Sequence, residues 1–213
     1  MRSTKLKNQK FLTVKEIKKN IQLKELNAII NLIKKENYKS ILSHLSKKII
    51  TRYLETTVKY NNAHIFVLLK KNLILGYALY FKRETDIFQK FSYLKFKIIK
   101  ELIFGLKIIV LLNIFLAVTR FDLILFKSKK KKDENYINLN LLAINRKYQS
   151  KGYGNFLIEN SAKKLRSKNI KVKKIICEAP SKRVLNFYLK NNFKIIGKKL
   201  RLFHNFYILQ KRI

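Results

Sequence analysis

The chain is poor in the residues that staple, bend or break a backbone. Its 213 residues include one cysteine, one proline, five glycines and no tryptophan. A single cysteine, Cys177, excludes an internal disulfide, and with only three scattered histidines it excludes a typical structural zinc site. The opening MRSTKLKNQK lacks an apolar run, so no secretory leader is expected and a reduced, cytoplasmic setting follows. Acids are scarce too: 12 Asp+Glu face 49 Lys+Arg, a formal net charge of +37.

Such an excess attracts nucleic acid, anionic lipid or a polyanionic ligand. Its make-up argues against nucleic acid. Only nine of the basic residues are Arg, the planar fork that reads phosphates and bases, and the rest are Lys spread along the whole length. Lys, Ile and Asn are what A/T-rich codons encode, so much of the charge reads as compositional background. What the chain has in quantity is apolar surface. A hydrophobic fraction of 47%, with 12% aromatic, supplies the core of a single domain spanning 1–213.

Residues 1–10 read as a solvated tail. Phe11 to Ile17 alternates apolar and polar, which predicts a strand. From Gln22 to Lys59 the period is helical, through Leu23, Leu26, Ile29, Ile30 and Ile33 and then Ile41, Leu45, Ile49 and Ile50. Asn37 and Tyr38 divide it into two helices. Two apolar runs, 64–69 and 73–81, separated by Lys70-Lys71-Asn72, predict a hairpin.

Residues 84–132 stand apart as an apolar and basic insertion. Leu102–Val118 is interrupted only by Lys107 and Asn113, which falls short of a spanning helix and has Lys on both sides. A buried helix pair or an amphipathic lid is the expected form, with peripheral membrane contact as the alternative. KSKKKKDEN (127–135) is then a solvated linker.

Beyond it the order is strand (137–145), helix from about Gly154, strand around 175–178, a short helix capped by Ser181, and two strands at about 194–201 and 204–211. The whole predicts a mixed α/β domain. Leu157, Ser161, Ala162 and Leu165 share one face of the first of these helices, and Val184, Leu185 and Tyr188 the inner face of the second. Pro180, with no N–H to donate, stops the intervening strand.

The sharpest local signal is Gln149-Ser150-Lys151-Gly152-Tyr153-Gly154, directly after a strand and directly before a helix. Glycines let backbone N–H groups turn toward one point, and the helix start adds its partial positive charge. Together they suit a diphosphate. A Walker A loop is absent, because no Gly-Lys-Ser/Thr follows at the required spacing. A dinucleotide fingerprint fails as well, since Leu157 stands where it needs a small residue.

These residues resemble the GNAT superfamily of N-acetyltransferases, whose acyl-donor loop reads Gln/Arg-x-x-Gly-x-Gly/Ala. Gln149, Gly152 and Gly154 match it, and Leu142-Ala143-Ile144 looks like the strand end that precedes that loop. Further on, Ser181, Val184, Phe187, Tyr188, Asn192 and Phe193 stand where members often read Asn-x-x-Ala-x-x-Phe-Tyr-x-x-x-Gly-Phe. Ser181 for Asn weakens a contact to the pantetheine arm, and Val184 for Ala adds bulk near the cofactor's path. Asn192 for Gly keeps the turn, because Asn also tolerates the left-handed region.

The resemblance implies a GNAT fold with a central mixed sheet flanked by helices, interrupted by the insertion between its third and fourth strands. It implies acetyl-CoA as acyl donor, with its phosphates seated on Gln149, Ser150, Lys151, Gly152, Tyr153 and Gly154. Main chain at Leu142 and Ile144 would pair with pantetheine, Ser181 would lie beside it, and Tyr188 would protonate the leaving thiolate. It assigns no general base. Glu134 and Glu178 read as ordinary surface acids or ion-pair partners, His204 as structural, and Cys177 as a small buried hydrophobe.

The acceptor implied is a small-molecule amine. The final segment looks like members that acetylate amino sugars for surface polysaccharides, while peptide amines and polyamines are the other acceptors, the last disfavoured by the charge. A reading from a different class is a membrane-surface or other binding protein that retains a CoA-binding fold. No feature of the sequence fixes an oligomeric state.

Overall fold

The structure, a computed structural model, describes residues 11–17, 21–37, 40–59, 63–82, 135–168, 172–201 and 204–213. The tail 1–10 and the insertion 84–132, with its alternatives of lid, helix pair or membrane contact, lie outside the described residues. These contain seven strands and four α-helices, a mixed α/β fold as the element order predicts. They fall into two compact units, one drawn from Met1–Lys82 and Leu139–Lys171, the other from Arg83–Asn138 and Val172–Ile213.

In the first unit, strand β1 (Leu12–Ile17) pairs antiparallel with β2 (Ala63–Lys70), which pairs antiparallel with β3 (Leu73–Phe81). Strand β4 (Tyr136–Ile144), counted in this unit from Leu139 onward, follows β3 in the strand order. In β1, Leu12 and Val14 share a buried face while Thr13 and Lys15 opposite are exposed, and Ile17 is buried at the strand's end. In β2 the consecutive residues Ile65, Phe66, Val67 and Leu68 are all buried, so both faces of that strand are covered.

The cover is helical. Helix α1 (Leu23–Glu36) meets β3, α2 (Lys47–Lys59) meets β2, and α3 (Tyr153–Ser167) meets β1, β2 and β3. α3 buries Leu157, Ile158, Ser161, Ala162 and Leu165 on one stripe. The one polar member of that stripe is satisfied. Ser161 Oγ donates to the Ile158 carbonyl at 3.0 Å, and the Tyr80 hydroxyl reaches it from β3 at 2.6 Å.

The second helix of the early pair starts later than its periodicity predicts. Ile41–His44 forms a 3-10 turn, and α2 begins only at Lys47. Two serine hydroxyls account for the division: Ser40 Oγ accepts from Leu42 N at 3.3 Å and Ser46 Oγ from Ile49 N at 3.4 Å. Each satisfies the start of a separate helix, so an apolar rhythm that looks continuous is folded as two pieces.

One glycine fixes how closely β4 approaches β3. A Cβ on Gly76 would meet the Ile144 side chain and stand 2.5 Å from the Ala143 carbonyl oxygen. Any side chain there would push the end of β4 away.

The second unit contains β5 (Lys174–Ala179), helix α4 (Lys182–Lys190), β6 (Lys194–Arg201) and β7 (His204–Arg212), with strand order β5-β7-β6. β7 pairs antiparallel with both neighbours, and the β6 ladder slips between Ile195 and Gly197. Its core gathers Ile175, Cys177 and Ala179 from β5, Leu185 and Tyr188 from α4, and Phe193 and Leu209. Ser181 caps α4 as its position predicts, its hydroxyl accepting from Val184 N at 3.4 Å. Asn192 takes φ 63, the left-handed conformation expected of it.

Candidate functional site

The segment between β4 and α3 is short and heavily fastened. A 3-10 turn, Arg146–Tyr148, follows β4, with Asn145 Oδ1 accepting from Lys147 N at 3.1 Å. Ser150 and Gly152 then adopt φ 61 and φ 80, two left-handed residues separated by Lys151. Alternation of this kind turns successive N–H groups toward one side of the chain. Helix α3 opens immediately afterwards, with Gly152 at its N-cap and Phe156 N donating to the Gly152 carbonyl at 3.0 Å.

No side chain caps the N-terminus of α3, and its first turn holds no acid. The helix start therefore keeps its positive end for something else. The side chains of Arg146, Lys147 and Lys151, in the segment that leads into it, are exposed, and Lys151 Nζ lies 5.7 Å from the centre of the Tyr148 ring. Ser150 and Gly152 are exposed as well, whereas Tyr153 and Gly154 are buried. Tyr153 thus contributes main chain to the loop while its ring fills the unit.

Gln149 is turned inward. Its Nε2 donates to the Ile144 carbonyl at 2.8 Å and to Glu36 Oε2 at 3.2 Å, and the same carboxylate accepts from Arg146 N at 2.8 Å. The neighbouring Asn37 donates through Nδ2 to the Leu142 carbonyl at 3.4 Å and accepts at Oδ1 from the Tyr77 hydroxyl at 2.6 Å. Tyr77 is fully buried, and burial, with the nearby Tyr53, pushes its hydroxyl well above the usual tyrosine value. It is neutral and can donate.

The sequence pattern placed Gln149, Leu142 and Ile144 together but missed Glu36, Asn37 and Tyr77. More than a hundred residues of chain separate Glu36 from Gln149, and Glu36 belongs to no short-range signal. The only local hint was Asn37, legible as a helix break and no more.

A separate group in the first unit joins β1, β2 and the end of α3. Glu16 accepts from His64 Nδ1 at 2.9 Å and pairs with Lys168. Burial opposes ionisation of Glu16, but the bonds from His64 and Lys168 outweigh it and hold the carboxyl down at about 2.

In the second unit, Tyr188 is only 4% exposed. Its ring meets Phe187 at 5.2 Å and Phe193 at 4.9 Å between centroids. Its hydroxyl is hydrogen-bonded to Cys177 on β5, and burial nonetheless pushes the Cys177 thiol far up. Cys177 is thus a buried, protonated thiol. Ser181 spends one acceptor site on the helix cap. Among the described residues, no group of three or more His, Cys, Asp or Glu is placed to hold a metal ion, and no helix is long and apolar enough to cross a membrane.

Comparison with known proteins gives a consistent result. The profile of the Acetyltransferase (GNAT) family matches residues 26–193. No curated protein matches the chain. Among solved structures, it is similar to an acetyltransferase from Thermus thermophilus, with TM-score 0.58 and 12% identity over 95% of this chain and 97% of that one. It is similar also to a chimera of the spermidine N-acetyltransferase SpeG from Vibrio cholerae and hSSAT, with TM-score 0.60 and 13% identity over 95% of each chain. An aminoglycoside acetyltransferase from an uncultured soil metagenomic sample, solved with trehalose, gives TM-score 0.51 and 15% identity over 85% of this chain and 88% of that one. At such identities the likeness is one of fold.

Proposed function

The chain belongs to the GNAT acetyltransferase family, and from that premise we propose that it transfers an acetyl group from acetyl-CoA to a small primary amine, an amino sugar being the favoured acceptor. The observation that carries the proposal is the open helix start behind Ser150 and Gly152. Two left-handed residues, an uncapped α3 N-terminus without acids, and three exposed cations in the segment leading into it suit the phosphates of CoA. Gln149, Ser150, Lys151, Gly152, Tyr153 and Gly154 would hold that end, with Ser181 beside the arm. Acetyl-CoA would supply the acyl group already activated as a thioester.

The chain's own residues would do the rest. Main chain at Leu142 and Ile144 would orient the acyl arm and polarise its carbonyl. Tyr188 would hold a proton at its hydroxyl and deliver it to the departing sulfur. Its bond to Cys177 and the flanking Phe187 and Phe193 rings restrict where that hydroxyl can point. The spermidine and aminoglycoside enzymes of like fold carry small amines in their names. A net charge of +37 disfavours polycationic acceptors, and the resemblance of the C-terminal segment favours an amino sugar.

The test is an amine panel scored by acceptor-dependent CoA release, with amino sugars beside polyamines and peptides, run on the wild type and Tyr188→Phe. Release with amino sugars, and a lower turnover in Tyr188→Phe at nearly unchanged acetyl-CoA affinity, supports the assignment. Equal turnover in the variant removes Tyr188 from the chemistry, and release with none of the amines removes the proposed acceptor.

A further inference from the structure

The last residue of α1 and the one that follows it are tied to both ends of the segment that the proposed function gives to the acyl donor. Asn37 reaches the Leu142 carbonyl in β4, and Glu36 reaches Arg146 N and Gln149 Nε2 at the other end. Gln149 closes the ring by donating to the Ile144 carbonyl. Residues 142–149 are thereby fastened at four points by two consecutive residues and one amide, all within the first unit.

The direction of these bonds matters more than their number. Asn145 N–H points toward β3, donating to the Leu75 carbonyl at 2.8 Å. Polar groups alternate sides along a strand, so the carbonyls of Leu142 and Ile144 point the other way. Those are the two carbonyls that Asn37 and Gln149 occupy. With both acceptors engaged, a molecule meeting that side of β4 over 142–144 meets main-chain donors first. The orientation of Asn37 is set by chemistry: only its NH2 can face a carbonyl, which leaves Oδ1 for the Tyr77 hydroxyl.

We propose that Glu36 and Asn37 are positioning residues that hold β4 and the following loop in the form that takes the carbonyl-bearing arm and phosphates of the acyl donor. The proposal rests on the reading of this segment as the acetyl-CoA site. Neither side chain touches the reacting atoms. Glu36 acts through Arg146 N–H and Gln149, and Asn37 through the Leu142 carbonyl.

The experiment is calorimetric titration of acetyl-CoA into the wild type, Glu36→Ala, Asn37→Ala and the near-isosteric Glu36→Gln, alongside urea unfolding of each. The Ala variants should bind acetyl-CoA more weakly, Glu36→Ala by roughly tenfold, the scale of one lost charge-assisted hydrogen bond, and Asn37→Ala by somewhat less, because its bond to the Leu142 carbonyl is neutral. Glu36→Gln should fall between, because one carbonyl oxygen still accepts while its NH2 faces another donor. A purely structural role would lower the urea midpoint and leave the dissociation constant of the folded protein unchanged, and that result overturns the proposal. A wild type that binds and variants that bind equally well overturn the clamp alone. A wild type that does not bind removes the donor site, and the clamp with it.

Discussion

The hydroxyl of Tyr77, fully buried on β3, donates at 2.6 Å to Asn37 Oδ1 just past the end of α1, and the other end of the same amide faces the Leu142 carbonyl. A core side chain thus sets the orientation of a residue that fixes the exit of β4. Tyr77→Phe removes the donor while keeping the ring. It should cost about 1–2 kcal/mol in urea unfolding, the scale of a buried hydrogen bond whose acceptor is left unsatisfied. Its acetyl-CoA affinity should fall less than that of Asn37→Ala, because Asn37 still reaches Leu142 in Tyr77→Phe.

Gly152 and Ser150 make a pair of opposite sign. At Gly152 an added Cβ meets nothing within 4 Å, so the cost of Gly152→Ala is the φ of 80 alone, about 1–2 kcal/mol. Ser150 already carries a side chain at φ 61, so Ser150→Gly relieves strain and should leave the unfolding midpoint unchanged or slightly raised. Thermal melts of the two variants, side by side, check the prediction.

Much of this was legible along the chain, and what was not has a physical cause. The alternation of buried Leu12 and Val14 with exposed Thr13 and Lys15, the α3 stripe from Leu157 to Leu165, the Ser181 cap and the left-handed Asn192 are local, and the sequence alone predicts each. The late start of α2 was hidden because the apolar rhythm through Ile41 and Leu45 outweighs, to the eye, two serine hydroxyls. Gln149, Gly152 and Gly154 announced a loop. The partners that hold it, Glu36 and Asn37, come from a helix end far away in the chain, and no spacing rule links them to it. Tyr77 sits in an apolar run where its hydroxyl carries no signal.

Acid stability should depend on Glu16. Its carboxyl is held down at about 2 by His64 and Lys168 against the opposing effect of burial. A depressed carboxyl contributes stability that is fully present above its unfolded value and lost as pH falls through the folded one. The loss therefore falls between pH about 4.5 and about 2. Glu16→Gln should flatten that part of the stability profile, measured by urea midpoints at stepped pH. A slope equal to the wild type's would show that other carboxyls dominate.

Cys177 gives a clean readout because it is the only cysteine. Buried and with its thiol pushed far up, it should resist alkylation in the native protein at neutral pH and react fully once unfolded. Mass spectrometry after iodoacetamide, with and without denaturant, measures both states.

Binding of acetyl-CoA itself is the most direct test of the account. A ligand that binds only the folded state raises stability by mass action, by about 2.7 kcal/mol at a hundredfold excess over its dissociation constant. The expected result is a melting temperature that climbs steadily with acetyl-CoA and climbs less in Gly152→Ala. A melting temperature that stays flat up to millimolar acetyl-CoA would contradict the central claim that the loop from Gln149 to Gly154 holds the acyl donor.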